Sequence, residues 1–328
     1  MSQNTVLEIK DLEVELYSEK GPLPVIDKVN LSIKDGEIVG IVGESGCGKS
    51  MLASAIMNLL NSPAKIAAGT IFYDGQDMTT LSSKEFQKIR GNEISMIFQE
   101  PMTSLNPLMK VGKQIEEAIK AHEKVSNTEL RERAIAAIRD VGIPQPEKVY
   151  HDIPSRLSGG MRQRIMIAMA LVCHPKLLIC DEPTTALDVT IQAQILRLIK
   201  KLRDETNTAV IFISHDMGVI YQMVDRVVVM YAGQFVESAL CKELFEKPLH
   251  PYTIGLQNAI PQINKQQSSL QDIPGSVPML DNLPEGCLFA PRCPFAKNEC
   301  FTKKVPLKHY GDHNVRCLLV DEGGWHNE

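Results

Sequence analysis

No excess of basic residues marks this chain. Lys and Arg number 35 against 40 Asp and Glu, for a formal net charge of -5, so the strongly basic domain of a general nucleic-acid binder is missing. Long apolar runs are missing too: the clean stretch near the middle, Ile165 to Cys173, falls well below the roughly 18 to 20 residues of a spanning helix. The opening residues, MSQNTVLEIKDLEVEL, carry acids and lack the apolar core of a secretory leader. No internal repeat or low-complexity tract is evident, and 44 % hydrophobic with 23 % charged residues argues against global disorder. A soluble, cytoplasmic chain is expected. Its 328 residues suffice for one large domain or two ordinary ones with a full core.

What is present is an alternation of strand and helix patterns. Val6 to Leu16 and Val29 to Ile33 alternate apolar and polar residues, as half-buried strands do, with a turn predicted at Gly21-Pro22-Leu23-Pro24. Glu37 to Val42, Leu177 to Cys180, Ala209 to Ser214 and Arg226 to Met230 are short apolar runs of the kind buried on both faces of a sheet. Helical spacing appears over Ser50–Leu60, Val111–His122, Thr128–Val141, Met161–Cys173, Ile191–Arg203 and Gly218–Met223. This pattern predicts an α/β domain with a mainly parallel sheet, interrupted by a helical insertion over about 90–165. From about Pro251 the texture turns Pro-, Gln- and Cys-rich, so a boundary is placed near 255, dividing the chain into 1–255 and 256–328.

Gly43-Glu44-Ser45-Gly46-Cys47-Gly48-Lys49-Ser50 fits G-x-x-x-x-G-K-[ST], and it lies between a predicted buried strand and a predicted helix. In that setting the backbone N–H groups turn inward around phosphate oxygens, backed by the positive end of the helix that continues into Met51. Lys49 reaches the β- and γ-phosphates and the Ser50 hydroxyl ligates Mg²⁺. A glycine-rich turn is the plain alternative, but the strand-loop-helix context favours nucleotide binding. Further along, an apolar strand delivers Asp181 to the Mg²⁺ shell. Glu182 follows directly, placed to polarise an attacking water. ATP hydrolysis is therefore expected, and not binding alone.

A P-loop leaves kinases, GTPases, helicases and transport ATPases open. Leu157-Ser158-Gly159-Gly160-Met161, shortly upstream of Asp181-Glu182, narrows the choice: the order resembles the ATP-binding cassette (ABC) family. That resemblance implies a P-loop NTPase fold with a RecA-like core, an N-terminal antiparallel β subdomain and a helical insertion. It also implies two cassettes stacked head to tail, Ser158, Gly159 and Gly160 of each facing the γ-phosphate held by the other. Gln99 resembles the glutamine that senses Mg²⁺ and the attacking water, and Ala186-Leu187-Asp188 the D-loop at the dimer interface. His215 is similar to the histidine that contacts the γ-phosphate and supports Glu182, and Tyr17 to the aromatic that stacks on adenine. Met161 departs from the glutamine found there in many cassettes; the Ser-Gly-Gly core is intact.

Gln99 to Pro107 and Asp181 to Thr190 look like the oligopeptide/dipeptide importer branch, as does His250-Pro251-Tyr252-Thr253 followed by a cysteine-bearing tail. Nickel importers belong to the same branch. Cys287, Cys293, Cys300 and Cys317, in a reducing compartment, could hold a [4Fe–4S] cluster or zinc, or stay as thiols or disulfides. The missing Cys-x2-Cys knuckle, the Cys293-Pro294 pair and the family resemblance favour the cluster in a small Cys-rich C-terminal extension. His309 and His313 lie near enough in sequence to substitute as ligands, although solvated surface histidines are the more common case.

The expected function is that of an ATPase subunit bound peripherally at the cytoplasmic face of the cell membrane, driving import of short peptides. With no spanning segment it needs two transmembrane permease subunits. With one P-loop it needs a second ABC ATPase subunit, expected to be a paralogue forming a heterodimer. An extracytoplasmic substrate-binding protein would join through the complex, and no nucleic acid is expected. Cargo could be dipeptide, longer peptide or nickel. A non-transport ABC ATPase is the rival reading, but the segment between Gln99 and Ser158 is too short for the coiled coil of repair members.

Overall fold

The computed structural model describes residues 4–19, 21–100, 104–185, 187–259 and 273–322. Ala186 of the expected D-loop and residues 101–103 of the importer-like stretch lie outside the described residues. Among the described residues twelve strands follow in chain order: β1 (Thr5–Ser18), β2 (Gly21–Lys34), β3 (Ile38–Val42), β4 (Ala64–Tyr73), β5 (Gln76–Asp77), β6 (Ile94–Ile97), β7 (Leu177–Asp181), β8 (Ala209–Ser214), β9 (Arg226–Tyr231), β10 (Gln234–Leu240), β11 (Lys308–Tyr310) and β12 (His313–Val315). The chain divides into two compact units, the first Met1–Val6, Ile33–Glu37 and Tyr73–Ile211, the second Leu7–Ser32, Ile38–Phe72 and Phe212–Glu328.

In the first unit, β6 and β7 pair in parallel with Ile94 opposite Leu177 and Ile97 opposite Cys180. All five residues of β7 are buried, which is why this strand reads as a continuous apolar run. The helices Val111–Lys120, Asn127–Asp140 and Gly159–Leu171 pack on one another, and Ile115, Ile119, Leu130, Ala134, Ile138 and Ile165 are buried on them. Ser126 caps the second of these by accepting the Glu129 N–H at 3.2 Å. These helices begin and end within two residues of where the 3.6-residue spacing predicts them.

In the second unit, β3 and β9 are parallel, Val39 opposite Arg226 and Val42 opposite Val229. β10 returns antiparallel to β9. β12 then pairs with β10, Glu237 opposite Val315, and β11 pairs with β12, so strands of the cysteine-bearing tail extend the sheet. A separate run of neighbours is β2-β1-β4.

Two local expectations are corrected. The turn predicted at Gly21–Pro24 is already strand, because β2 lies at the sheet edge and Pro22 and Pro24 are exposed there, where the missing N–H groups cost no ladder bonds. The helix predicted over Ser50–Leu60 spans Lys49–Ile56. Asn58 adopts a left-handed φ of 49°, while the Leu59 N–H donates to Ser54 O at 2.8 Å and the Asn58 N–H to Ala55 O at 3.1 Å. That is a Schellman close, which ends the helix before its apolar pattern ends.

Candidate nucleotide site

The candidate residues divide between the two units. The phosphate loop, in the second, leaves β3 and enters the helix Lys49–Ile56. Gly43 allows a close approach: a Cβ there would lie 2.2 Å from the Met230 carbonyl oxygen. Gly48 holds φ 111° as the residue capping the helix and, being glycine, lays no side chain across the cap. Lys49 is buried and its Nζ donates to Gly43 O at 2.8 Å and Glu44 O at 2.9 Å. These carbonyls hold the ammonium inside the loop. Cys47 packs beneath, 1 % exposed, and burial pushes its thiol pKa up despite the neighbouring Lys49. Ser45, Gly46 and Ser50 are exposed, and Met51 is half-buried.

The loop is also gripped from the C-terminal part of the chain. The Glu44 N–H donates to Tyr252 Oη at 2.8 Å, and the Glu44 carboxylate accepts from both terminal nitrogens of Arg292, at 2.6 and 3.0 Å. Tyr252, Tyr231 and Phe289 stack edge-on or tilted beneath, with centroids 4.7 to 5.3 Å apart. Sequence reasoning treated Tyr252 only as part of a family mark and missed Arg292 altogether.

The acid pair lies in the first unit. Asp181 ends β7 with 5 % exposure. Glu182 follows with a left-handed φ of 47°, an unfavourable conformation for a residue bearing a Cβ and one that recurs at functional sites. Since Ile97 stands opposite Cys180 in the parallel pair, the residues two further on face each other. Gln99 Nε2 accordingly donates to Glu182 Oε2 at 3.1 Å, and Thr185 Oγ1 donates to the same oxygen at 2.9 Å. The buried Gln163, on the helix Gly159–Leu171, donates to Pro183 O at 2.6 Å and ties that helix to the acid loop.

Ser158 and Gly159 are exposed at the start of the helix Gly159–Leu171, and Gly160 is half-buried. Ser158 Oγ accepts the Met161 N–H at 3.3 Å, which leaves its O–H free in chemistry to donate to an anion. Among the described residues nothing lies within 4 Å of where a Gly159 Cβ would stand, whereas a Cβ on Gly160 would meet Ile191 Cγ2 at 3.0 Å. Asp188 caps the helix Val189–Thr206 through the Ile191 N–H at 3.0 Å. In the second unit, His215 is exposed one residue past β8. Tyr17 is 47 % exposed near the end of β1, with Lys65 Nζ 5.1 Å from its ring centroid.

The four tail cysteines line one cavity together with His250, Phe289 and Leu319. All are free thiols, and burial raises the pKa of Cys287 and pushes Cys293 up to about 11 and Cys317 up to about 12. No group of three or more His, Cys, Asp or Glu is disposed to hold a metal ion among the described residues. The two histidines named as substitutes are engaged elsewhere: His309 with Asn314, and His313 with Glu237 at 2.7 Å. His250 lines the cavity, and its Nδ1 accepts the Tyr252 N–H.

A strand-loop-helix phosphate cradle and an acid pair ending a buried parallel strand define a P-loop NTPase. Residues 26–185 match the family model for the ABC transporter, and residues 236–300 match the oligopeptide/dipeptide transporter C-terminal region. The oligopeptide transport ATP-binding protein AppD of Bacillus subtilis is 50 % identical over 323 residues, 98 % of each chain. The dipeptide transport ATP-binding protein DppD of Escherichia coli is 45 % identical over 307 residues, 94 % of each chain. The solved dimeric structure of MJ0796, a bacterial ABC transporter cassette, superposes with a TM-score of 0.65 at 29 % identity, covering 72 % of this chain and 98 % of that one. This chain belongs to the ABC transporter ATPases, with an ABC cassette fold of mixed α/β content and an implied use of ATP and Mg²⁺. No helix among the described residues is long and apolar enough to cross a membrane.

Proposed function

We propose that this chain is the ATP-hydrolysing, nucleotide-binding subunit of an importer of short peptides, acting through separate membrane permease subunits. The observation that carries the hydrolytic part is the contact of Gln99 with Glu182, set by the parallel register of β6 and β7. The peptide part is supported by kinship along nearly the whole chain with AppD and DppD, whose names specify oligopeptide and dipeptide transport. Cargo choice among dipeptide, oligopeptide and nickel would rest with the other subunits.

In this reading the Gly43–Ser50 cradle and Lys49 bind the phosphates, and Tyr17 stacks on the adenine. Glu182 takes the proton of a water oriented by Gln99 as its oxygen attacks the γ-phosphorus. The bond to the bridging oxygen breaks and ADP leaves, with His215 steadying the γ-phosphate. The oxygen donors Ser50, Gln99 and Asp181, the last almost fully buried, suit a hard cation. Mg²⁺ held by them would neutralise charge on the transferring phosphoryl group. Ser158, Gly159 and Gly160 serve the nucleotide of a second cassette, proposed to be a paralogue, and an extracytoplasmic binding protein delivers cargo to the complex. The chain would sit on the cytoplasmic membrane face, with 1–255 as the cassette and 256–328 as the extension. Vesicles carrying the permeases and both cassettes should take up a labelled peptide only with ATP inside the equivalent of the cytoplasm; uptake of Ni²⁺ and no peptide would overturn the cargo reading.

A [4Fe–4S] cluster, with Zn²⁺ as the alternative, is proposed for the Cys287, Cys293, Cys300 and Cys317 cavity on the strength of its four sulfur donors alone. Loading would require those thiols to lose protons and draw together. Anaerobic purification with an absorption spectrum and iron, sulfide and zinc analysis tests it: a colourless, metal-free chain would end the reading.

A further inference from the structure

A carboxylate in a loop built to cradle phosphates is an electrostatic liability. Glu44 is the second residue of that loop, and Arg292, 248 residues further along, holds both of its oxygens at 2.6 and 3.0 Å. The Arg292 side chain is 5 % exposed, against 30 % for Glu44. Its remaining N–H groups are committed to a fixed cage: Nε donates to Pro274 O at 2.8 Å, and one terminal nitrogen also donates to Ile273 O at 3.1 Å and Gly275 O at 3.3 Å. The guanidinium carbon stands 5.8 Å from the Tyr231 ring centroid and 6.0 Å from that of Phe289. Such a site is shaped for a planar fork and not for a lysine. Tyr252 Oη, meanwhile, takes up the Glu44 N–H. Both the backbone and the side chain of this loop residue are thus held from the C-terminal part of the chain.

We propose that Arg292 is a positioning residue of the ATP site: it neutralises Glu44 and pins it to the C-terminal extension, so that the phosphate loop receives an anionic nucleotide without a competing free carboxylate. The extension is then a working part of the nucleotide site and not an appendage to it. This inference rests on the nucleotide-binding reading above and adds to it a residue outside the loop.

The test is MgATP and MgADP binding to the purified full chain by titration calorimetry, with unfolding monitored in parallel. Arg292→Ala is expected to weaken MgATP about tenfold and MgADP less, ADP carrying less negative charge. The deficit should shrink to about threefold at roughly 0.5 M salt, where charges are screened over a few ångströms. Adding Glu44→Gln to Arg292→Ala should recover affinity to within about threefold of wild type, because the uncompensated charge is then gone. Wild-type affinity in Arg292→Ala, or a loss that neither Glu44→Gln nor salt relieves, overturns the proposal. Should Arg292→Ala fail to fold, Arg292→Lys replaces it: a loss of about threefold, relieved by Glu44→Gln, is expected from giving up the two-point fork, and a loss that is not relieved, or no loss, overturns the proposal. Lys49→Ala separates the two levels. If it abolishes binding while Arg292→Ala does nothing, only the role of Arg292 falls; if neither weakens binding, the nucleotide reading falls with it.

Discussion

Removing the Glu237 carboxylate should destabilise the chain more than any change on its surface. Glu237 lies in β10 with no exposure at all, a placement no carboxylate takes without partners. Its Oε1 accepts the Leu249 N–H at 2.6 Å and faces His313 Nε2 at 2.7 Å, and its Oε2 accepts the His250 N–H at 2.9 Å. These bonds join a sheet strand to the start of the helix Pro251–Asn258 and to β12 of the tail. Glu237→Ala orphans three donors in one buried place, and losing one member of such a buried set costs about 3 to 5 kcal/mol. Glu237→Gln keeps the shape but turns an N–H against a donor, for about 1 to 3 kcal/mol. Urea unfolding of the full chain, followed by circular dichroism and by hydrogen exchange of the 313–315 amides, measures both. If Glu237→Ala lies within about 0.5 kcal/mol of wild type, as an ordinary surface change does, the reasoning is refuted.

Three further outcomes follow from the geometry. Gly43→Ala must force a methyl to within 2.2 Å of the Met230 carbonyl oxygen, so MgATP affinity should fall at least about tenfold through loop displacement; unchanged binding by calorimetry would contradict that packing. Cys47, buried and raised in pKa by that burial, should react with iodoacetamide at neutral pH far more slowly than an exposed thiol, and rapid labelling of Cys47 by mass spectrometry would contradict it. The Arg133 guanidinium, bonded to Glu123 at 2.6 and 2.8 Å, holds that carboxyl below its usual range. Its stabilisation is therefore full above the unfolded carboxyl pKa of about 4.5 and is lost as pH falls through the lower folded value. Glu123→Gln should flatten that acid limb of the unfolding curve, and an identical pH dependence in the variant would speak against the pairing.

Legibility in the sequence followed how local each signal was. β3, β7 and β8 were readable because a strand buried on both faces leaves an unbroken apolar run, and the phosphate loop because a cradle of backbone amides demands glycine at set positions. β4 and β10 were not anticipated: in β4, Ala64–Tyr73 is mostly half-buried or exposed and has no clean alternation, and Glu237 of β10 is a buried acid where the pattern expects a polar outward position. Helix ends set by backbone geometry, as at Asn58, escape a reading of apolar spacing. The Gln99–Glu182 bond depends on strand register, and the Glu44–Arg292 and Glu237–His313 pairs join residues 248 and 76 positions apart; one sequence carries no signal for such partners. Cysteine spacing marked the tail as a unit, but nothing in that spacing pointed to His250, which the fold brings to the cavity.

The account depends most on Glu182 acting as the general base, and ATP turnover by the assembled complex measures this directly. Glu182→Gln in this chain should retain MgATP binding while steady-state hydrolysis at its site falls by about 10²-fold or more, the usual worth of a positioned base. Gln99→Ala, which removes the 3.1 Å bond to Glu182, should lower turnover by a smaller factor. Turnover near the wild-type level in Glu182→Gln, with MgATP binding intact, would contradict the central claim.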